Sequence, residues 1–100
     1  MEFLIQEGKE TRVTLTGKLD FARAPLLMEA LKTLKGKEIS TIIFACKSLT
    51  YLSSAGIRAI IFAQQKIAPD MTIIMEDVCE GVAEVLDICG LAEFIEFTES

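Results

Sequence analysis

Leu49-Thr50-Tyr51-Leu52-Ser53-Ser54-Ala55-Gly56-Ile57-Arg58 is the stretch on which the fold turns, because an apolar strand runs into it and a helical pattern runs out of it. Two adjacent hydroxyls sit at that junction. A serine just ahead of an apolar helical run caps the helix, its oxygen accepting from an otherwise orphaned N–H of the first turn. The same N–H groups, with the positive end of the helix dipole, also form an anion site that favours a phosphate on Ser53 or Ser54. Both readings stand at this point.

Immediately upstream, Ile39 to Cys46 reads as a strand, and its continuous apolar run Ile42-Ile43-Phe44-Ala45-Cys46 marks the centre of a sheet with neighbours on both edges. Immediately downstream, Ile57, Ile60, Ile61, Ile67 and Ala68 fall on one side of a helix that Pro69 and Asp70 stop. At about 100° per residue, Ser54, Arg58, Phe62 and Gln65 line the other side. An exposed phenylalanine there would need explaining, so a neighbouring helix is expected to cover Phe62.

Further out, Phe3-Leu4-Ile5 and Thr11 to Thr16 flank Glu7-Gly8-Lys9 and read as a hairpin. Val13 and Leu15 alternate with Arg12, Thr14 and Thr16, which leaves one face of that strand wet. Gly17-Lys18-Leu19-Asp20 then breaks the pattern, with Asp20 a turn or capping residue first and a site residue second. Pro25 suits the first turn of a helix carrying Leu26, Leu27, Ala30, Leu31 and Leu34 on one face, and Gly36 ends it. Met71 to Met75 is a further strand. Asp77-Val78-Cys79-Glu80 has the spacing of a capping box, with Asp77 as the cap. Val82, Val85, Leu86 and Cys89 form the apolar face of a last helix closed by Gly90, and Phe94 to Phe97 adds an edge strand. The four methionines are spread through this pattern as core filler.

The order β-β-α-β-α-β-α-β predicts one α/β domain over residues 1–100: a four- to five-stranded, mostly parallel sheet with an antiparallel N-terminal strand and three main helices. Parallel crossovers are right-handed, so helices joining adjacent strands share one face. Function in such sheets gathers at the C-terminal ends of the strands. Gly17 to Asp20 and Tyr51 to Ser54 both fall on that edge.

With 100 residues and 51% of them hydrophobic, the chain has material for a single core. Fifteen acidic against ten basic side chains give a net charge of -5, which argues against nucleic acid and leaves a protein as the expected partner. No run reaches the roughly 18 apolar residues of a membrane span, and Met1-Glu2-Phe3-Leu4 lacks the start of a signal peptide. A soluble, cytoplasmic protein with no membrane partner is expected. Cys46, Cys79 and Cys89 share no C-x-x-C spacing, and there is no histidine, so they read as reduced, mostly buried thiols rather than metal ligands. Missing histidine and scattered carboxylates leave no clustered acid, base and nucleophile. Neither an enzyme, a cofactor nor a small-molecule substrate is expected. A redox or phosphotransfer enzyme would need a nucleophilic cysteine at a strand end, and Cys46, the nearest candidate, has no basic neighbour to lower its pKa.

Leu15-Thr16-Gly17-Lys18-Leu19-Asp20, Tyr51 to Arg58, and Leu86-Asp87-Ile88-Cys89-Gly90-Leu91, in that order, resemble the stand-alone STAS domains that act as anti-sigma factor antagonists in bacteria. The resemblance implies a switch protein without catalysis of its own. It implies that an anti-sigma serine kinase phosphorylates a serine at the start of the central helix, that a serine phosphatase reverses the mark, and that the unphosphorylated form binds the kinase and releases a sigma factor. Aligned on Gly56, the family's phosphorylated serine is Ser54, with Ser53 standing where many members carry Asp. Asp20, Leu52, Ser53, Ser54, Arg58 and Phe62 are the expected partner-binding residues. Two other readings follow from the same likeness: an accessory STAS subunit of a membrane transporter, and a docking module that is never phosphorylated.

Overall fold

The computed structural model of the chain describes residues 3–67 and 72–99. Its elements are β1 (Phe3–Gln6), β2 (Glu10–Leu19), α1 (Ala24–Lys32), β3 (Thr41–Leu52), α2 (Ser54–Phe62) continued by a π-helical turn (Ala63–Ile67), β4 (Thr72–Glu76), α3 (Glu80–Ile88), a 3-10 turn (Leu91–Phe94) and β5 (Ile95–Thr98). Met1, Ala68, Pro69, Asp70 and Met71, to which the sequence assigned an N-terminus, a helix stop and a strand start, lie outside the described residues.

The strands pair in the order β1-β2-β3-β4-β5, with β1 antiparallel to β2 and every other pair parallel. This is the expected α/β architecture, and the register explains its two faces. Val13, Phe44 and Met75 stand side by side across β2, β3 and β4, all fully buried. Leu27 and Leu31 of α1, Ala59 and Ile60 of α2, and Val82 and Leu86 of α3 join them in one core. Burying a leucine-sized side chain contributes about 1.5–3 kcal/mol, against a helix-propensity range of about 1 kcal/mol short of proline. Apolar spacing therefore decides where the helices lie.

On the opposite face, Arg12 reaches past β3 to Glu76, with Nη1 to Oε1 at 2.6 Å and Nη2 to Oε2 at 3.2 Å. Ile43 is Arg12's register partner on β3 and is only 9% exposed although no helix is needed to cover it; the two long side chains passing over that strand shield it. The wet face expected from Arg12, Thr14 and Thr16 is accordingly half-buried.

Four local expectations are corrected. Leu26 lies off the apolar face of α1 and is 56% exposed. Asp77 is not at the N-cap position of α3: its backbone sits at φ +56 and gives its N–H to the Thr98 carbonyl of β5 at 2.9 Å. Aspartate tolerates that left-handed conformation better than most residues. The N-cap position falls to Cys79, which makes no side-chain capping bond. Finally, Cys79 and Cys89 are exposed and only Cys46 is buried, because Cys79 precedes α3 and Cys89 follows it instead of facing its core side.

Candidate functional site

The site is built where β2 and β3 overrun the rest of the sheet. β3 does not stop at Cys46 but continues to Leu52, and β2 continues beside it until Leu19 pairs with Leu52. Gly17 bulges the strand rather than ending it: it sits at φ +66, where the pairing shifts register, a conformation that glycine adopts without a Cβ clash. Thr50 Oγ1 donates to the Gly17 carbonyl at 3.1 Å, and Arg23 Nη1 donates to the Lys18 carbonyl at 2.6 Å. The bulge is thus pinned from both sides.

Asp20 turns the chain out of β2. Its Oδ1 accepts from the Ala22 and Arg23 amides at 3.1 and 3.0 Å, and its carbonyl accepts from the Ala24 amide at 2.9 Å. That is the turn-forming role its position suggested.

The two serines have different surroundings. Ser53 is the N-cap of α2 and is 2% exposed. Its N–H and its hydroxyl both donate to the Leu19 carbonyl, at 3.0 and 2.8 Å, and its Oγ accepts from the Gly56 amide at 3.2 Å. Ser54, the first residue of α2, is exposed. Cap and free hydroxyl, which the sequence left open between the pair, are therefore divided between them.

Around these hydroxyls the structure separates the remaining candidates. Arg58 is exposed one helical turn beyond Ser54, and its side chain has no hydrogen bond or ion pair among the described residues. Leu52 is 4% exposed and belongs to the core, so its side chain does not face a partner. Phe62 is half-buried and packs against the core, and α2 rests against α1. Gln65 lies in the π-helical turn, whose wider winding takes it off the α-helical line through Ser54 and Arg58. The buried stripe of α2 is instead Gly56, Ala59 and Ile60. A Cβ on Gly56 would lie 2.8 Å from Leu52 Cδ1 and 3.0 Å from Leu19 Cγ, so only glycine lets the helix start this close to the strands.

Sequence reasoning missed the exposed apolar residues at this end. Phe21 and Tyr51 are 66% and 47% exposed; they flank the site just after Asp20 and just before Leu52. A large exposed side chain beside a turn carries no periodic signal: the sequence puts Tyr51 on this edge but shows no sign of its exposure or of that of Phe21.

Chemically this edge offers the exposed hydroxyl of Ser54 and the exposed side chains of Phe21, Tyr51 and Arg58. Cys46 does not supply a nucleophile: burial, followed by the nearby negative charges of Cys79, Asp77 and Glu76, pushes its thiol up to about 12. Among the described residues no three His, Cys, Asp or Glu side chains group as a metal site would require, and no helix is long and apolar enough to cross a membrane.

Comparison with known proteins places the arrangement in context. The STAS domain family model matches residues 4–100. SpoIIAA in its unphosphorylated form, an anti-sigma factor antagonist, superposes with a TM-score of 0.81 at 17% identity, over 95% of this chain and 86% of that one. The phosphorylated form of the Bacillus cell fate determinant SpoIIAA gives 0.74 at 17%, over 95% and 89%. An anti-sigma factor antagonist from Mycobacterium paratuberculosis gives 0.83 at 14%, over 96% and 83%. Identities this low speak for the fold alone. No curated protein matches the sequence.

Proposed function

The chain belongs to the STAS domain family, and from that premise we propose that it is an anti-sigma factor antagonist switched by phosphorylation of Ser54. Unphosphorylated, it binds an anti-sigma serine kinase in the cytoplasm and so frees a sigma factor. The kinase transfers phosphate to Ser54, the complex weakens, and a serine phosphatase restores the binding form. The protein performs no reaction itself.

The observation that carries the reading is the contrast between the two hydroxyls. An acceptor must present its oxygen to another protein's active site, and Ser54 is exposed whereas Ser53 is buried with its proton given to Leu19. Phosphate on Ser54 would sit at the positive end of α2, which stabilises it within the free protein by about 1 kcal/mol. Against a partner the same group brings about -1.5 to -2 charges at pH 7. Removing them from water against an unmatched surface costs several kcal/mol, so desolvation outweighs the dipole. The mark then weakens binding without disturbing the fold.

Incubation with an anti-sigma serine kinase and ATP, followed by mass-spectrometric mapping, tests the assignment. A single phosphate on Ser54, absent from Ser54→Ala, is the expected result. Phosphate elsewhere, or none with a kinase that binds the chain, would overturn it.

A further inference from the structure

We infer that Ser53 is a positioning residue: by joining the Leu19 carbonyl to the Gly56 amide, its hydroxyl holds the corner after β2 against the start of α2 and thereby fixes which of the two serines is offered to a kinase. This rests on the functional reading above and adds a residue to it.

Helix capping alone needs only an acceptor. Ser53 meets that need through the 3.2 Å bond from the Gly56 amide, and Asp or Asn in its place would cap equally well. The second bond is different in kind. At 2.8 Å from the Leu19 carbonyl, with both groups buried, the Ser53 oxygen must be donating its proton. The Leu19 carbonyl thus accepts twice from one residue, from N–H and from O–H.

Two further contacts converge on the same place. Gly56 leaves no room for a Cβ between it and Leu19 and Leu52, and Asp20, directly after Leu19, organises the turn that leads to α1. Two chain segments therefore meet here, the one that leaves β2 at Leu19 and the start of α2. Ser53 is the side chain that hydrogen-bonds one to the other. With its proton and its acceptor site both engaged and 2% of its surface exposed, it is also withheld from phosphorylation although it neighbours the acceptor.

A neutral pair at position 53 separates the roles. Threonine and glycine are about equally good caps, but only threonine can also donate to the Leu19 carbonyl, and neither brings a charge into this buried site. A capping-only role predicts that Ser53→Thr and Ser53→Gly exchange alike at the corner after β2. The tie predicts that they differ. Amide hydrogen exchange on the full chain is read at Gly56 and at Ala22 to Ala24. Ser53→Gly should exchange faster than Ser53→Thr at Ala22 to Ala24 by about fivefold or more, the weight of one neutral hydrogen bond. Equal exchange at the 22–24 corner would overturn the proposal.

The kinase arm adds a readout that stability does not move. Ser54→Ala should take no phosphate on Ser53, and kcat/KM for Ser54 should be lower in Ser53→Gly than in Ser53→Thr. Phosphate on Ser53, or equal kcat/KM, contradicts the inference. If neither serine of the wild type is phosphorylated, the functional reading fails, while the exchange comparison still decides the tie.

Discussion

Gly56 sits so close to Leu52 that a methyl group added to it would come within 2.8 Å of the leucine's Cδ1. Leu52 is in the core and Leu19, the other neighbour, is fully buried, so neither can swing aside freely. Overpacking of this kind costs about 1–3 kcal/mol, and replacing glycine inside a helix returns about 0.5–1 kcal/mol. Gly56→Ala is expected to destabilise by about 1 kcal/mol net, lowering Tm by about 4–8 °C for a domain of this size. Thermal unfolding followed by circular dichroism checks it, and an unchanged or raised Tm would mean that the helix start is not held against the strands.

Phe62 and Phe21 should serve different ends, the first the fold and the second the interface. Phe62 is half-buried on the core, so Phe62→Ala should cost about 1–3 kcal/mol of stability, less than the about 3–5 kcal/mol of a fully buried aromatic. Phe21→Ala, at a side chain 66% exposed, should leave Tm within about 2 °C yet weaken the kinase complex by at least about 1 kcal/mol. Denaturant melts paired with calorimetric titration of both variants distinguish fold from interface.

Element order, strand directions and the central position of the Ile42 to Cys46 run were all legible in the sequence, because a continuous apolar run and the spacing of Leu27 and Leu31 each report burial directly. The site was legible only in outline. Lys47, Ser48 and Thr50 are polar and interrupt any apolar pattern, so the extension of β3 to Leu52, held by pairing with a bulged β2, could not be seen. For the same reason nothing in the local sequence distinguishes Ser53 from Ser54: the difference is made by the Leu19 carbonyl, 34 residues away. The expected Asp77 cap is displaced because α3 starts at Glu80 with Cys79 at the N-cap position, later than the capping-box spacing placed it.

The thiols should divide by position. Cys79 and Cys89 are exposed and Cys46 is buried, so native labelling near neutral pH should modify the first two and reach Cys46 only on unfolding. Because burial holds the folded Cys46 thiol protonated up to about 12, against an ordinary value of 9.0, the unfolded chain releases this proton first. Stability contributed by the neutral thiol is complete below pH 9 and falls as pH rises towards 12, at up to about 1.4 kcal/mol per pH unit. Alkaline melts of Cys46→Ala should lose this slope; an unaltered slope would assign it to other groups.

Arg58 should sense the phosphate. Ser54 and Arg58 are four residues apart and both exposed on α2, a spacing at which opposite charges meet. Solvent screening holds the pair below about 1 kcal/mol. Phosphorus NMR of the phosphorylated protein should therefore show a phosphoserine pKa lower than in Arg58→Ala, by less than one unit. Superimposable titrations would place the guanidinium elsewhere.

The switch itself is tested most directly by calorimetric titration of the anti-sigma kinase with wild-type protein, its Ser54-phosphorylated form and Ser54→Ala. Phosphorylation is expected to weaken binding at least about a hundredfold, equivalent to about 2.7 kcal/mol, while Ser54→Ala binds as the unmodified protein does and cannot be shut off. Equal affinity of the kinase for the phosphorylated and unphosphorylated forms would contradict the account.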